Sequence, residues 1–115
     1  MAKIIQVLNS MIAKNNRIKN VIKNKQEYFF IYDEKYKWSI SKTVDEDYFV
    51  HFYPDQNRNI EEISAIDDWS EYDYITYSTT DLKTLEAIET FRELYQIVSN
   101  KIYGIDDIFD DIINN

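Results

Sequence analysis

Acid–base chemistry in this chain would have to come from carboxylates and one imidazole. Three pairs of adjacent acids stand out: Asp67-Asp68, Asp106-Asp107 and Asp110-Asp111. On a helix, Asp106/Asp110 and Asp107/Asp111 become i, i+4 neighbours that could share a hard cation. No calcium loop with its central glycine surrounds them, since the chain holds 1 Gly. The same count excludes the glycine-rich phosphate loops of nucleotide-binding folds. With 0 Cys there is no thiol nucleophile, no thiolate zinc site and no disulfide framework. The single His51 lies in "YFVHFY", between aromatics on an expected strand, and a structural role is expected for it. Adjacent acids opposite an apolar stripe ordinarily form a solvated face. The sequence therefore assigns no catalytic residue, no metal ligand and no cofactor, and it does not read as an enzyme.

Aromatic side chains give the one positive signal. The chain holds 10 Tyr and 2 Trp, concentrated in the expected strands. Tyr72, Tyr74 and Tyr77 in "EYDYITY" surround Asp73, and Tyr48 and Tyr53 also have acids nearby. Tyr offers a large, stiff contact area with a polar tip and is enriched at protein interfaces. Tyr48, Tyr53, Tyr72, Asp73, Tyr74 and Tyr77 are thus the candidate partner-binding surface. The competing reading is a sheet core made Tyr-rich by composition alone.

Charge is divided along the chain. The formal net charge is -8, from 13 Lys+Arg and 21 Asp+Glu. Residues 1–25 hold six cations (Lys3, Lys14, Arg17, Lys19, Lys23 and Lys25) and no acid. The rest carries a charge of -14. The basic stretch could meet acids of its own domain, join an interface, or bind a polyanion through Lys14, Arg17, Lys19 and Lys23. The domain's own negative field disfavours the polyanion, because phosphate-backbone attraction is mostly electrostatic.

The elements that must position these groups follow from periodicity. Ile4, Leu8, Met11, Ile18 and Ile22 fall on one helical face and predict a helix over residues 3–24, with a break plausible at Asn15-Asn16. "EYFFIYD" (27–33), "KYKWSISKT" (35–43) and residues 48–53 read as a three-stranded antiparallel meander ended by Pro54. Lys37, Ser39 and Ser41 should form a wet face of the second strand. Asn59 should cap a short helix at 60–66, and "EYDYITYS" (71–78) reads as a fourth strand. Thr79-Thr80-Asp81 should cap a long helix to residue 102, with Ile88, Phe91, Tyr95, Val98 and Ile102 as its stripe and Ala87 and Leu94 beside it. In "IDDIFDDII", Ile105, Ile108, Phe109 and Ile112 form a last stripe, expected to dock near the basic N-terminal helix of the same chain or of a swapped neighbour.

The expected fold is one α+β domain over residues 1–115. It has an antiparallel sheet of about four strands flanked by an N-terminal helix and C-terminal helices, in the order α-β-β-β-α-β-α-α. No stretch approaches the ~20 apolar residues of a membrane span. A cytoplasmic location is expected, and the Asn, Ile, Lys and Tyr bias suggests a bacterial source. The functional expectation is a small non-catalytic acidic binding protein acting by stoichiometric protein–protein contact. It would be immunity-, antitoxin- or inhibitor-like, with nucleic-acid mimicry as a variant. Its partner would be a protein, with a second copy of the chain another occupant. The alternative is a nucleic-acid or anionic-surface binder working through the basic N-terminal helix.

Overall fold

The computed structural model describes residues 2–115, without the side chain of Asp106. Its centre is a five-stranded antiparallel sheet in sequential order: β1 (Ile18–Asn24), β2 (Glu27–Tyr32), β3 (Tyr36–Lys42), β4 (Tyr48–Tyr53) and β5 (Ile75–Ser78). The aromatic and β-branched runs of β2, β3 and β4 form the expected meander, and β4 stops at the residue before Pro54.

The fifth strand comes from a segment expected to be helical. Only α1 (Lys3–Ala13) is α-helix there. Lys14 leaves the helical region at φ −119, and the Asn15 side chain donates to the Ile12 carbonyl at 3.0 Å. This is the competition with the backbone that makes Asn a poor helix-interior residue. A 3-10 turn (Asn15–Arg17) then leads into β1. Ile18 and Ile22, four apart, imitated a helical stripe. In fact the β1–β2 register slips between Lys19 and Ile22, where Asn20 takes φ 57. The bulge turns Ile22 to the opposite face of the sheet from Ile18.

One face of the sheet carries Tyr28, Phe30, Trp38, Ile40, Tyr48 and Val50. Against it pack α1 and the long α4 (Leu85–Lys101), which also pack on each other. The helix α4 buries Ala87, Phe91, Leu94 and Val98, and exposes Glu86, Glu89 and Glu93. The buried stripe is rotated from the one expected, since Ile88, Tyr95 and Ile102 are only half-buried. The cap also differs. Ser78 caps a separate short helix, α3 (Thr79–Leu82), which ends at Lys83 in the left-handed region; Thr84 then caps α4 through the Ala87 N–H. The chain has one glycine, so left-handed positions fall to residues such as Asn20, Asp33, Glu46 and Lys83.

The other face carries Glu27, Phe29, Ile31, Lys37, Ser39, His51 and Tyr53. It is not the wet face expected: Ser39 is fully buried and Lys37 nearly so. Helix α2 (Ile60–Ser64) covers part of it with Ile60 and Ile63, and the Lys37 ammonium donates to the Arg58 carbonyl at 2.6 Å. Asn59 caps α2 in a full capping box with Glu62.

The last helix, α5 (Ile105–Asn114), forms as expected but, among the described residues, packs on α4 and not on the basic segment of its own chain. Ile108, Phe109, Ile112 and Ile113 are all more than half exposed. The basic residues meet acids elsewhere: Arg17 lies 3.9 Å from Asp33, and Lys19 lies 3.7 Å from Glu34. Among the described residues no helix is long and apolar enough to cross a membrane.

Two stability outcomes are expected. Deleting residues 105–115 removes little buried surface and should lower the melting temperature by no more than about 4 °C, roughly 1 kcal/mol in a domain of this size. Calorimetry of the truncated chain checks this. Lys83→Gly relieves an exposed left-handed residue and should stabilise by about 0.5–1 kcal/mol, read as a shift in the urea midpoint at unchanged slope.

Candidate functional site

Antiparallel pairing sets four side chains in one row across the second face: Phe29 of β2, Ser39 of β3, His51 of β4 and Thr76 of β5. Diagonal neighbours, two residues away on adjacent strands, lie within reach of longer side chains. Glu27 and Tyr53 hold those diagonal places about Ser39. The Ser39 hydroxyl lies 2.5 Å from Glu27 Oε2, to which it donates, and 2.7 Å from the Tyr53 hydroxyl. The Tyr53 hydroxyl is 3.4 Å from the same Glu27 oxygen, and His51 Nε2 is 3.8 Å from it. His51 Nδ1 pairs with the Thr76 hydroxyl at 2.8 Å.

Charge is unfavourable here unless it is held. Burial pushes the Tyr53 phenol above its ordinary range, and the Glu27 charge adds to the effect. Burial also lowers His51 below its usual value, outweighing the raising effect of Glu27. The imidazole is therefore neutral at pH 7, and Glu27 is the one formal charge of the group. Among the described residues no Lys or Arg lies within ion-pair distance of it.

The segment between β4 and β5 folds over this row by local turn chemistry. Asp55 accepts from the Asn57 N–H at 2.8 Å, and Asp68 accepts from the Ser70 N–H at 3.0 Å. The second of these side-chain turns holds the Asp68 carboxyl below its usual range and sets the bend at Trp69. The Trp69 ring then becomes the centre of an aromatic group. Its centroid is 5.4 Å from Tyr53, 6.1 Å from Tyr72 and 5.5 Å from Tyr74.

The residues picked from the sequence divide between the two faces. Tyr53, Tyr72, Asp73 and Tyr74 gather around Trp69. Tyr48 and Tyr77 lie on the helix-covered face instead, Tyr48 fully packed against Tyr95. Residues 72–74 were expected within a strand, but β5 begins only at Ile75. Lys14 and Arg17 lie at the end of α1 and in the 3-10 turn after it, and Lys19 and Lys23 on β1, not on one continuous α-helix. Glu27, Ser39 and Trp69 were missed. The available signal for Ser39 was its alternation with apolar neighbours, read as a wet face; Glu27 opens an aromatic run and gave no such signal.

No family model matches this chain, and no curated protein or solved structure matches it. Function must be argued from the site itself. The Ser39 hydroxyl is bonded to a carboxylate and a phenol rather than to His51, and it is buried. A serine nucleophile needs contact with its base and access to substrate. Glu27 and His51 supply two donors that could face a metal ion, and no group of three gathers among the described residues. The pocket lined by Glu27, His51, Tyr53, Trp69 and Tyr74 has a volume of about 160 Å³.

The state of His51 predicts a pH effect. Its folded value lies below the ordinary 6.5, so the unfolded chain binds the extra proton first. Stability should fall as pH drops through 6.5 towards the lower folded value. His51→Gln should remove that component at a pH-independent cost of about 1 kcal/mol. Melting curves of both proteins between about pH 7.5 and 5.5 check this; equal slopes would refute it.

Proposed function

We propose that this protein is a small non-catalytic binding protein that acts by stoichiometric contact with a protein partner. The contact surface is the Trp69 aromatic group and the acidic segment that carries it. The observation behind this reading is the gathering of Tyr53, Trp69, Tyr72 and Tyr74 on the sheet face that the long helices leave uncovered. Residues 59–78 hold six acids and no Lys or Arg, and Arg58, which lies over the Tyr72 ring, is ion-paired with Asp55, so the segment as a whole stays negative. Tyr and Trp with a charged rim are the composition of an interaction hot spot. The complementary partner is basic. Immunity proteins, antitoxins and inhibitors work in this stoichiometric way, and a mimic of nucleic acid would present its carboxylates similarly.

Nucleic-acid binding through the basic N-terminal segment is the weaker reading. Arg17 and Lys19 already face Asp33 and Glu34. The decisive comparison is affinity capture from the source organism with the wild-type chain, Tyr72→Ala/Tyr74→Ala, and Lys19→Ala/Lys23→Ala. The captured protein should form a complex of fixed stoichiometry by light scattering. The tyrosine pair should weaken it by roughly tenfold or more, at about 2 kcal/mol for a hot-spot ring, while the lysine pair should not. No gel shift of DNA or RNA is expected at physiological salt. Binding that survives the tyrosine substitutions, or a shift whose affinity falls with salt at a slope near −0.9 per phosphate, would reverse the assignment.

A further inference from the structure

The pocket beneath Trp69 has a composition that the partner reading does not require. Three ring systems wall it. Trp69 and Tyr74 stand nearly perpendicular, at 77° and 5.5 Å, and the buried Tyr53 forms the floor, inclined 31° to Trp69 at 5.4 Å, 6.4 Å from Tyr74 and stacked on Phe29 at 6.0 Å. His51 meets Tyr74 edge-on at 5.6 Å. Glu27 also lines the pocket. Its bonds to Ser39 and Tyr53, and its approach to His51, all use Oε2. The other carboxylate oxygen has no protein partner among the described residues, and it is not buried.

A box of aromatic faces around an uncompensated carboxylate is a specific electrostatic object. Ring faces carry the negative part of the aromatic quadrupole, so each attracts a cation placed over it. Elsewhere the chain satisfies such faces itself: Arg58 lies 4.5 Å over Tyr72, Lys42 lies 5.4 Å over Tyr95, and Lys23 lies 5.7 Å over Tyr28. No cation of the described residues is placed in this way over Tyr53, Trp69 or Tyr74. The volume of about 160 Å³ is below the roughly 300 Å³ at which drug-sized ligands begin to fit. It suits a compact charged head group.

We infer that Tyr53, Trp69 and Tyr74, with Glu27 between them, form an aromatic cage for an organic cation of the ammonium or guanidinium type. Trp69 and Tyr74 supply the faces, Tyr53 the floor, and the free Glu27 oxygen the counter-charge. A methylated ammonium loses little hydration on entering and presents its diffuse charge to the two perpendicular rings, Trp69 and Tyr74. An unmethylated amine or a guanidinium can also donate to the free oxygen. The head group could belong to a partner's Lys or Arg side chain or to a free small amine. In the first case the cage rests on the partner reading above. In the second it stands without it.

The test uses the isolated chain and needs no partner, so its failure is distinct from failure of the capture experiment. Two-dimensional NMR resolves the indole N–H of Trp69 from that of Trp38, which lies on the opposite face and serves as the internal control. The probes are tetramethylammonium, the methylamides of N-acetyl-lysine, N-acetyl-trimethyllysine and N-acetyl-arginine, a short Lys/Arg peptide, and neutral tert-butanol. At least one cation should shift Trp69 saturably while leaving Trp38 still, and tert-butanol should not. Tyr74→Ala, at an exposed ring, should weaken binding about tenfold, the loss expected for one good cation–π contact. Glu27→Gln should also weaken it, and Tyr74→Phe should keep it. Tighter binding of the peptide than of any free head group assigns the cage to a partner side chain; the reverse assigns it to a small amine. No saturable shift with any cation, or an equal shift with tert-butanol, overturns the cage.

Discussion

Ser39 has no exposed surface, and its hydroxyl can be buried only because Glu27 and Tyr53 complete its hydrogen bonds. A buried hydroxyl left alone would cost about 1–3 kcal/mol. The same arrangement fixes a carboxylate on the second face of the sheet. Once that face carries Ser39, Lys37 and Glu27, it cannot close like an ordinary core. It needs polar partners overhead, and the 54–74 segment brings them: the Arg58 carbonyl takes the Lys37 ammonium, and the Ser64 carbonyl takes the Asn24 amide at 2.6 Å. The layer over this face is therefore built as much from hydrogen bonds as from the apolar contacts of Ile60 and Ile63.

The two faces differ accordingly. The helix-covered face is packed with Phe30, Ile40, Val50, Phe91 and Leu94, all without exposed surface, and among the described side chains it leaves the buried Trp38 indole N–H without a partner. The opposite face keeps a wetter seam between the sheet and its cover. Trp69 and Tyr53 are drawn to that seam because each has an apolar body and a polar tip.

Sequence patterns reported local structure well and cross-strand geometry poorly. The strands β2, β3 and β4 were legible because aromatic and β-branched runs alternate between short polar turns. The capping box at Asn59 and Glu62 was half legible, since Asn59 could be read as a cap and its reciprocal bond could not. The strand β1 was hidden by its bulge: one extra residue at Asn20 placed Ile18 and Ile22 on opposite faces, while their spacing of four read as a helix. The break between α3 and α4 was hidden because Lys83 takes a conformation that usually signals itself with Gly or Asn. At the site, Tyr53, Tyr72 and Tyr74 were visible through their abundance. Glu27, Ser39 and Trp69 were not, because they come from β2, β3 and a loop between β4 and β5. The pairing register brings Glu27 and Ser39 together, and the turns of the loop bring Trp69 to them.

The register also explains why an acidic chain keeps its cations near one end. The strand β1 is an edge of the sheet, and its outer backbone groups have no neighbouring strand. Such an edge is a template on which a second chain could add a strand and begin to aggregate. Here it carries exposed Lys19 and Lys23, follows Arg17, turns at Lys25, and is kinked by the bulge at Asn20. An incoming copy would bring the same ammonium groups against them, and the kink would spoil its hydrogen-bond ladder. The basic stretch thus makes the strand a poor seed for its own kind, a safeguard that the charge of -14 spread over the rest of the molecule would not give at that edge.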